Sequence, residues 1–238
     1  MNTGKKNIKK KILILGASSD IGKCVIDCFV NNGYEIYAHH NKIRPKKKSK
    51  NIHYLKCNFE NHLDTKNFLK KINKNYFCSF VNLIGFIDDL QIQKINYKTL
   101  KKSLDINFIN PVLIANEISK KMVKNNFGRL LHCSSIGVKF GGGINSYSYS
   151  LAKHCLEFIP QHFKNVAKFN LLYNVLRIGV TDTKIHKKLK TKNLKIRKSK
   201  IPIKRLASPK EIAEYIFYLS SENNTFISNQ VLSISGGE

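Results

Sequence analysis

Lys11-Ile12-Leu13-Ile14-Leu15-Gly16-Ala17-Ser18-Ser19-Asp20-Ile21-Gly22 is the stretch on which the reading of this chain turns. Its aliphatic, β-branched start predicts a buried strand over Lys11 to Leu15, and the helical period that follows predicts a helix from Asp20 to Asn32. A glycine turn joining them directs free backbone N–H groups and the positive end of the helix at one point, which suits a phosphate. A dinucleotide is the natural ligand. The competing P-loop needs four residues between its glycines and then Lys-Ser or Lys-Thr; here five intervene and Cys24 follows Lys23, so that reading fails.

Outward from the turn, short aliphatic runs alternate with longer helical stretches, the pattern of an α/β fold built on a parallel sheet. Strands are expected over Lys11 to Leu15, Glu35 to His39, His53 to Lys56, Phe80 to Leu83, Arg129 to His132, Leu172 to Arg177 and Gln230 to Ile234. Helices are expected over Asp20 to Asn32, Leu63 to Asn73, Tyr97 to Asn126, Ser148 to Lys168 and Pro209 to Ser221. The last opens with Ser208 as N-cap, Pro209 at the first helical position and Glu211 closing a capping box. No repeat or linker divides the chain, so a single domain over residues 11–238 is expected behind a basic tail, residues 1–10.

The 238 residues include 42% apolar side chains, enough for one core without disulfides or metal, since a domain of this length buries roughly 70 to 75% of its unfolded surface. Purely apolar runs such as Ile12 to Leu15 are far below the ~18 residues of a membrane span. With no apolar signal core at the lysine-rich start, a cytoplasmic protein is expected. Cys24, Cys28, Cys57, Cys78, Cys133 and Cys155 form no Cys-x-x-Cys pair, the eight His form no His-Glu-x-x-His pattern, and no metal site is expected. The formal charge of +27 suggests a nucleic-acid binder as a rival class, but no recognition motif or aromatic-interleaved basic patch accompanies it. Of the 42 basic residues 37 are Lys, so lysine drift accounts for much of the charge.

Further motifs follow in order: Val81-Asn82-Leu83-Ile84-Gly85, then Asn107, Ser135, Tyr149-Ser150-Leu151-Ala152-Lys153, Arg177-Ile178-Gly179 to Thr183, and Ser235-Gly236-Gly237. Together with the glycine turn they resemble the short-chain dehydrogenase/reductase family from Lys11 to Glu238. Within it the nearest likenesses are 3-oxoacyl-carrier-protein reductases and dehydrogenases of surface-polysaccharide sugar synthesis. The resemblance implies a doubly wound Rossmann fold, a seven-stranded parallel sheet with helices on both faces. It implies hydride transfer between a nicotinamide cofactor and a carbonyl or secondary alcohol. A basic nucleic-acid-binding protein and a catalytically inactive scaffold remain the non-enzyme alternatives. Two departures stand out: Asp20 replaces a turn glycine, and Ile178 replaces a proline.

Tyr149 and Lys153 lie four apart on one helical face, where an ammonium stabilises tyrosinate and makes Tyr149 a usable acid. The resemblance assigns Ser135 to the substrate oxygen and Asn107 to the water of a proton relay past Lys153. Ser134 competes with Ser135 and Tyr147 with Tyr149, but only Tyr149 has a Lys four residues on. For the cofactor the same resemblance implies Gly16, Ser18, Ser19, Asp20, Ile21 and Gly22 at the phosphates, with Asn58 at the adenine. Asn82, Gly85, Gly179, Val180 and Thr183 complete the site together with Tyr149 and Lys153.

NADP(H) is expected over NAD(H). The residue closing the second strand chooses between them, and here His40, Asn41 and Lys42 stand with no carboxylate between Glu35 and Glu60. A substrate or carrier with negative charge is expected from the segment after Thr183, the mobile lid of the family. Lys184 to Arg205 holds eleven Lys and Arg among 22 residues and no Asp or Glu; a solvated loop is the plain alternative. A homotetramer, or a homodimer, is expected through the Tyr97 to Asn126 and Ser148 to Lys168 helices, whose apolar face includes Leu104, Phe108, Val112 and Ala115.

Overall fold

The computed structural model describes residues 10–184 and 194–238. Seven strands form one parallel sheet in the order β3-β2-β1-β4-β5-β6-β7: β1 Lys11–Leu15, β2 Glu35–His40, β3 Ile52–Lys56, β4 Ser79–Asn82, β5 Gly128–Ser135, β6 Leu171–Ile178 and β7 Gln230–Ile234. Every expected strand is present. The largest difference is at β5, which continues through Cys133, Ser134 and Ser135 because its register with β6 holds through Ser135 opposite Ile178.

Helices cover both faces. On one, α1 (Asp20–Asn31) and the helix Pro209–Ser220 pack over Ile12, Ile14, Val81 and Leu131. On the other, α2 (His62–Ile72), α4 (Asn110–Lys124) and α6 (Gln161–Val166) pack over Leu13, Leu15, Phe80 and Leu130. The inward residues of each strand thus alternate between two cores, as a sheet buried on both sides requires. The Ser208 and Glu211 capping box forms as expected, and Arg205 holds Glu211 in a bidentate pair.

Two helices differ from expectation. The Tyr97 to Asn126 stretch is α3 (Tyr97–Leu104), a π-helical turn (Asp105–Ile109) and α4, and the wide turn sets Asn107 at 0% exposure. The Ser148 to Lys168 stretch is α5 (Tyr147–Cys155), a break, and α6. Pro160 removes a helical donor and bars the preceding residue from helical backbone, so the helical period of the sequence is not realised across it. The proposed oligomer face is also partly core: Ala115 is buried and Leu104, Phe108 and Val112 are half-buried, whereas Tyr97, Ile109 and Leu113 are exposed.

The strand order reverses between β1 and β4, and the carboxyl ends of the strands flank that switch point. In such sheets ligands bind in the crevice just outside those ends.

Candidate active site

A cleft of about 1380 Å³ opens at the carboxyl ends of the strands, more than the ~300–1,000 Å³ usual for one small ligand and enough for a dinucleotide with a substrate. Its floor begins at the first glycine turn. Gly16 has φ +75°, and a Cβ there would stand 2.9 Å from the Leu83 carbonyl, so only glycine lets β1 pass this close to the loop after β4. Gly22 is needed for a different approach: its Cβ would meet the Gly16 carbonyl oxygen at 2.7 Å. Ser19 caps α1 by accepting from the Gly22 N–H, which keeps the positive helix end turned to the cleft.

The sequence did not disclose the role of His39. Its Nδ1 accepts the Gly16 N–H at 3.1 Å, which fixes the proton on Nε2, and that nitrogen donates to the Cys57 carbonyl at 3.1 Å. Burial lowers the ring's pKa to about 4, so it stays neutral and can keep accepting. His39 and Asn41 line the cleft, whereas His40 packs against Tyr54 outside it, because successive side chains of a strand face opposite ways.

Asp20 lines the cleft as well, with its carboxylate engaged. It accepts from the Lys184 N–H at 2.9 Å and pairs with Lys23 at 3.3 Å. Burial pushes its carboxyl up, but these donors together outweigh it and hold the pKa below the usual value. The carboxylate thus ties the glycine turn to the start of the segment after Thr183.

The four tetrad candidates come from three elements. Ser135 ends β5, Tyr149 and Lys153 rise from α5, and Asn107 sits in the π-helical turn. The Ser135 side chain hydrogen-bonds Tyr149, and all three of Ser135, Tyr149 and Lys153 line the cleft. Ser134 lines the cleft too, but its hydroxyl donates at 2.7 Å to Glu157, and Tyr147 lies outside. Asn107 does not line it: its Oδ1 accepts from the Phe86 N–H at 2.7 Å and its Nδ2 donates to the Phe86 carbonyl at 2.9 Å, so it braces the loop after β4.

Lys153 is buried and donates to the carbonyls of Ile84 at 2.6 Å and Cys133 at 2.5 Å. Burial lowers it to about 8. Tyr149, over whose ring Lys153 lies at 5.7 Å, is pushed by burial up to about 12, with the Ser135 hydrogen bond pulling the other way. The ammonium is held by two carbonyls, and the phenol keeps its proton at neutral pH. An acid that holds its proton until the reaction suits carbonyl reduction. Because Lys153 loses its charge near pH 8, kcat/KM for reduction should be level through neutrality and fall as pH rises past that value. A profile flat to about pH 9.5 would contradict this.

Other expected cofactor residues divide cleanly. Ser18, Ser19, Ile21, Gly85, Gly179, Val180 and Thr183 line the cleft. Asn82 does not; it holds the Ile84 N–H at 3.1 Å and His132 at 3.0 Å. Asn58 accepts from the Glu60 N–H at 3.1 Å, and Lys42 is exposed beyond the rim. Of the expected basic lid, residues 185–193 lie outside the described residues. Lys184, Arg197 and Lys200 line the cleft, and Arg197 is already paired with Glu238.

A second group escaped the sequence reading. Glu157, at 6% side-chain exposure, takes a bidentate pair from Arg177 on β6, at 2.8 and 2.6 Å, besides the Ser134 hydroxyl. It anchors the end of the short helix bearing Tyr149 and Lys153 to the sheet.

Comparison with known proteins gives the family. A model described as enoyl-(acyl carrier protein) reductase matches residues 16–238. The chain belongs to the short-chain dehydrogenase/reductase family. It is 26% identical to an acetoacetyl-CoA reductase of an Acinetobacter species, covering 96% of this chain and 97% of the relative. It is also 26% identical to a 3-oxoacyl-[acyl-carrier-protein] reductase of Buchnera aphidicola, with 96% and 97% covered. A short-chain dehydrogenase family protein from Francisella tularensis shares the fold at a TM-score of 0.83 with 24% identity, covering 96% of this chain and 98% of that one. A structure described as ElxO with NADP bound does so at 0.80 with 24% identity, covering 97% and 98%. The chain is an oxidoreductase of this family. No described helix is long and apolar enough to cross a membrane.

Proposed function

We propose that this short-chain dehydrogenase/reductase uses NADPH to reduce a 3-oxoacyl thioester carried on an anionic holder, either an acyl carrier protein or coenzyme A. The observation that carries this reading is the cleft rim beyond Ser135: Phe140, 59% exposed, stands next to Lys139, with Phe86 and Ile87 on the opposite loop. Apolar wall and cation together suit a hydrocarbon chain ending in a charged holder. Relatives that span almost the whole chain are named for such substrates.

A nicotinamide dinucleotide held in the cleft would supply the hydride. Tyr149 gives its proton to the substrate oxygen, and the Ser135 hydroxyl orients that oxygen. Lys153 ties the Ile84 loop to the Cys133 end of β5 beside the phenol. Asn107 keeps the Phe86 loop in place. The glycine turn, with its two close backbone approaches and capped helix end, fits a pyrophosphate.

NADPH is favoured because the turn after β2 contributes Asn41, Lys42 and Arg44 and no carboxylate. One added charge-assisted contact predicts catalytic efficiency with NADPH about tenfold or more above NADH. Equal efficiencies would reject the preference. The substrate reading is tested with acetoacetyl-CoA and acetoacetyl carrier protein against neutral keto sugars: the thioesters should turn over faster and lose ground as salt rises. Faster turnover of keto sugars would move the assignment to sugar dehydrogenation. The working form is a dimer or tetramer that covers Tyr97, Ile109 and Leu113; a mass of 27 kDa by light scattering would exclude it.

A further inference from the structure

The first turn of α1 carries a negative charge at the place best suited to hold a negative ligand. Among the described residues only two carboxylates, Asp20 and Glu238, line the cleft, and Arg197 pairs with Glu238. Asp20 follows the Ser19 cap, at the helix end whose free N–H groups and positive dipole fit a pyrophosphate. An acidic side chain there ordinarily serves its own helix by capping it. That task is already filled, because Ser19 accepts the Gly22 N–H at 2.9 Å. Asp20 turns its two oxygens elsewhere, one to Lys23 Nζ at 3.3 Å and the other to the Lys184 N–H at 2.9 Å, from 164 residues away.

Burial works against the charged form, but these donors outweigh it and keep the carboxylate ionised. Its side chain is only 23% exposed, so water and salt screen it incompletely. Lys23 and Lys184 line the same cleft, and Asp20 cancels one of the two positive charges they bring to it. The chain as a whole carries +27, a field that draws polyphosphates of every kind toward it. A negative charge fixed inside the phosphate position acts against that field at the point of final contact.

We propose that Asp20 sets the affinity of the cofactor site: its charge opposes the pyrophosphate and keeps the dinucleotide readily exchangeable. Glycine, the residue of the family pattern at this position, would leave the turn without that opposition. The proposal rests on the dinucleotide reading of the cleft. Two unit charges a few ångströms apart near a protein surface interact strongly enough to change an affinity by about tenfold or more.

The test is calorimetric titration of the full chain with NADPH and with inorganic pyrophosphate, neither of which requires turnover. Asp20→Asn keeps the shape and an oxygen for the Lys184 N–H while removing the charge. It should bind both ligands about tenfold tighter than wild type, with NADPH released correspondingly more slowly. Asp20→Gly should tighten both at least as much. Asp27→Asn, at an exposed position of α1 where Asp27 pairs with Lys47, makes the same change in net charge and should leave both affinities within twofold of wild type. Affinities in Asp20→Asn equal to wild type would overturn the proposal. Tightening in Asp20→Gly alone would do so too, since room and not charge would then be what Asp20 withholds. Equal tightening in Asp27→Asn would assign the effect to the net charge of the chain and likewise overturn it. If no form binds NADPH, the dinucleotide reading and this proposal fall together; if all forms bind it alike, only this proposal falls.

Discussion

Tyr149→Phe should lower NADPH-dependent turnover by roughly 10²–10⁴-fold while the melting temperature and cofactor affinity stay near wild type. The substitution deletes one oxygen and no packing volume. What it removes is a proton held at neutral pH by burial and placed beside Ser135, with no other acid available at that point. Tyr147, two residues away and outside the cleft, cannot take its place. Steady-state kinetics with acetoacetyl-CoA together with a fluorescence titration of NADPH separates the two effects. A variant within threefold of wild-type turnover would remove Tyr149 from the chemistry.

Lys153→Ala should strike in two ways at once. The ammonium satisfies the Ile84 and Cys133 carbonyls, both facing a buried space, and its loss leaves them without donors at a cost of about 1–3 kcal/mol. For a chain of this length each kcal/mol lowers the melting temperature by about 2–4 °C. Those carbonyls belong to the loop after β4 and to the end of β5, beside Tyr149, so turnover should fall by about a hundredfold or more and NADPH should bind more weakly. Thermal melts and titrations report the two losses separately. Unchanged melting with intact turnover would show that neither segment depends on this side chain.

The sequence made local relations legible. The glycine turn, the Tyr149 and Lys153 spacing, the Ser208 cap and the seven strands each depend on residues within a few positions of one another, and each appears in the fold. Relations made by the sheet were hidden. Nothing near His39 announces that its ring will meet the Gly16 N–H from 23 residues away, and nothing near Glu157 announces Arg177. One difference was avoidable: Pro160 stands openly inside the stretch expected to be helical. Asn58, Asn82 and Asn107 were expected at cofactor or water from the family resemblance; in the structure their side chains bond backbone amides of nearby loops, a relation made by the fold and hidden in the sequence.

The guanidinium that locks Glu157 gives the lopsided basic composition a meaning. Only five of the 42 cationic side chains are Arg. Arg177 and Arg205 each grip a carboxylate with two nitrogens, and Arg197 pairs with Glu238. Arg129 spreads its fork over the carbonyls of Gly128, Asn170 and Asn224, and Arg44 lies over the Tyr54 ring, 4.6 Å from its centroid. A lysine presents one point charge and can reproduce neither the planar fork nor the stacking face. Lys153 apart, arginine is the cation used where shape matters. Any Arg→Lys exchange in this chain would alter architecture, although on paper it conserves charge.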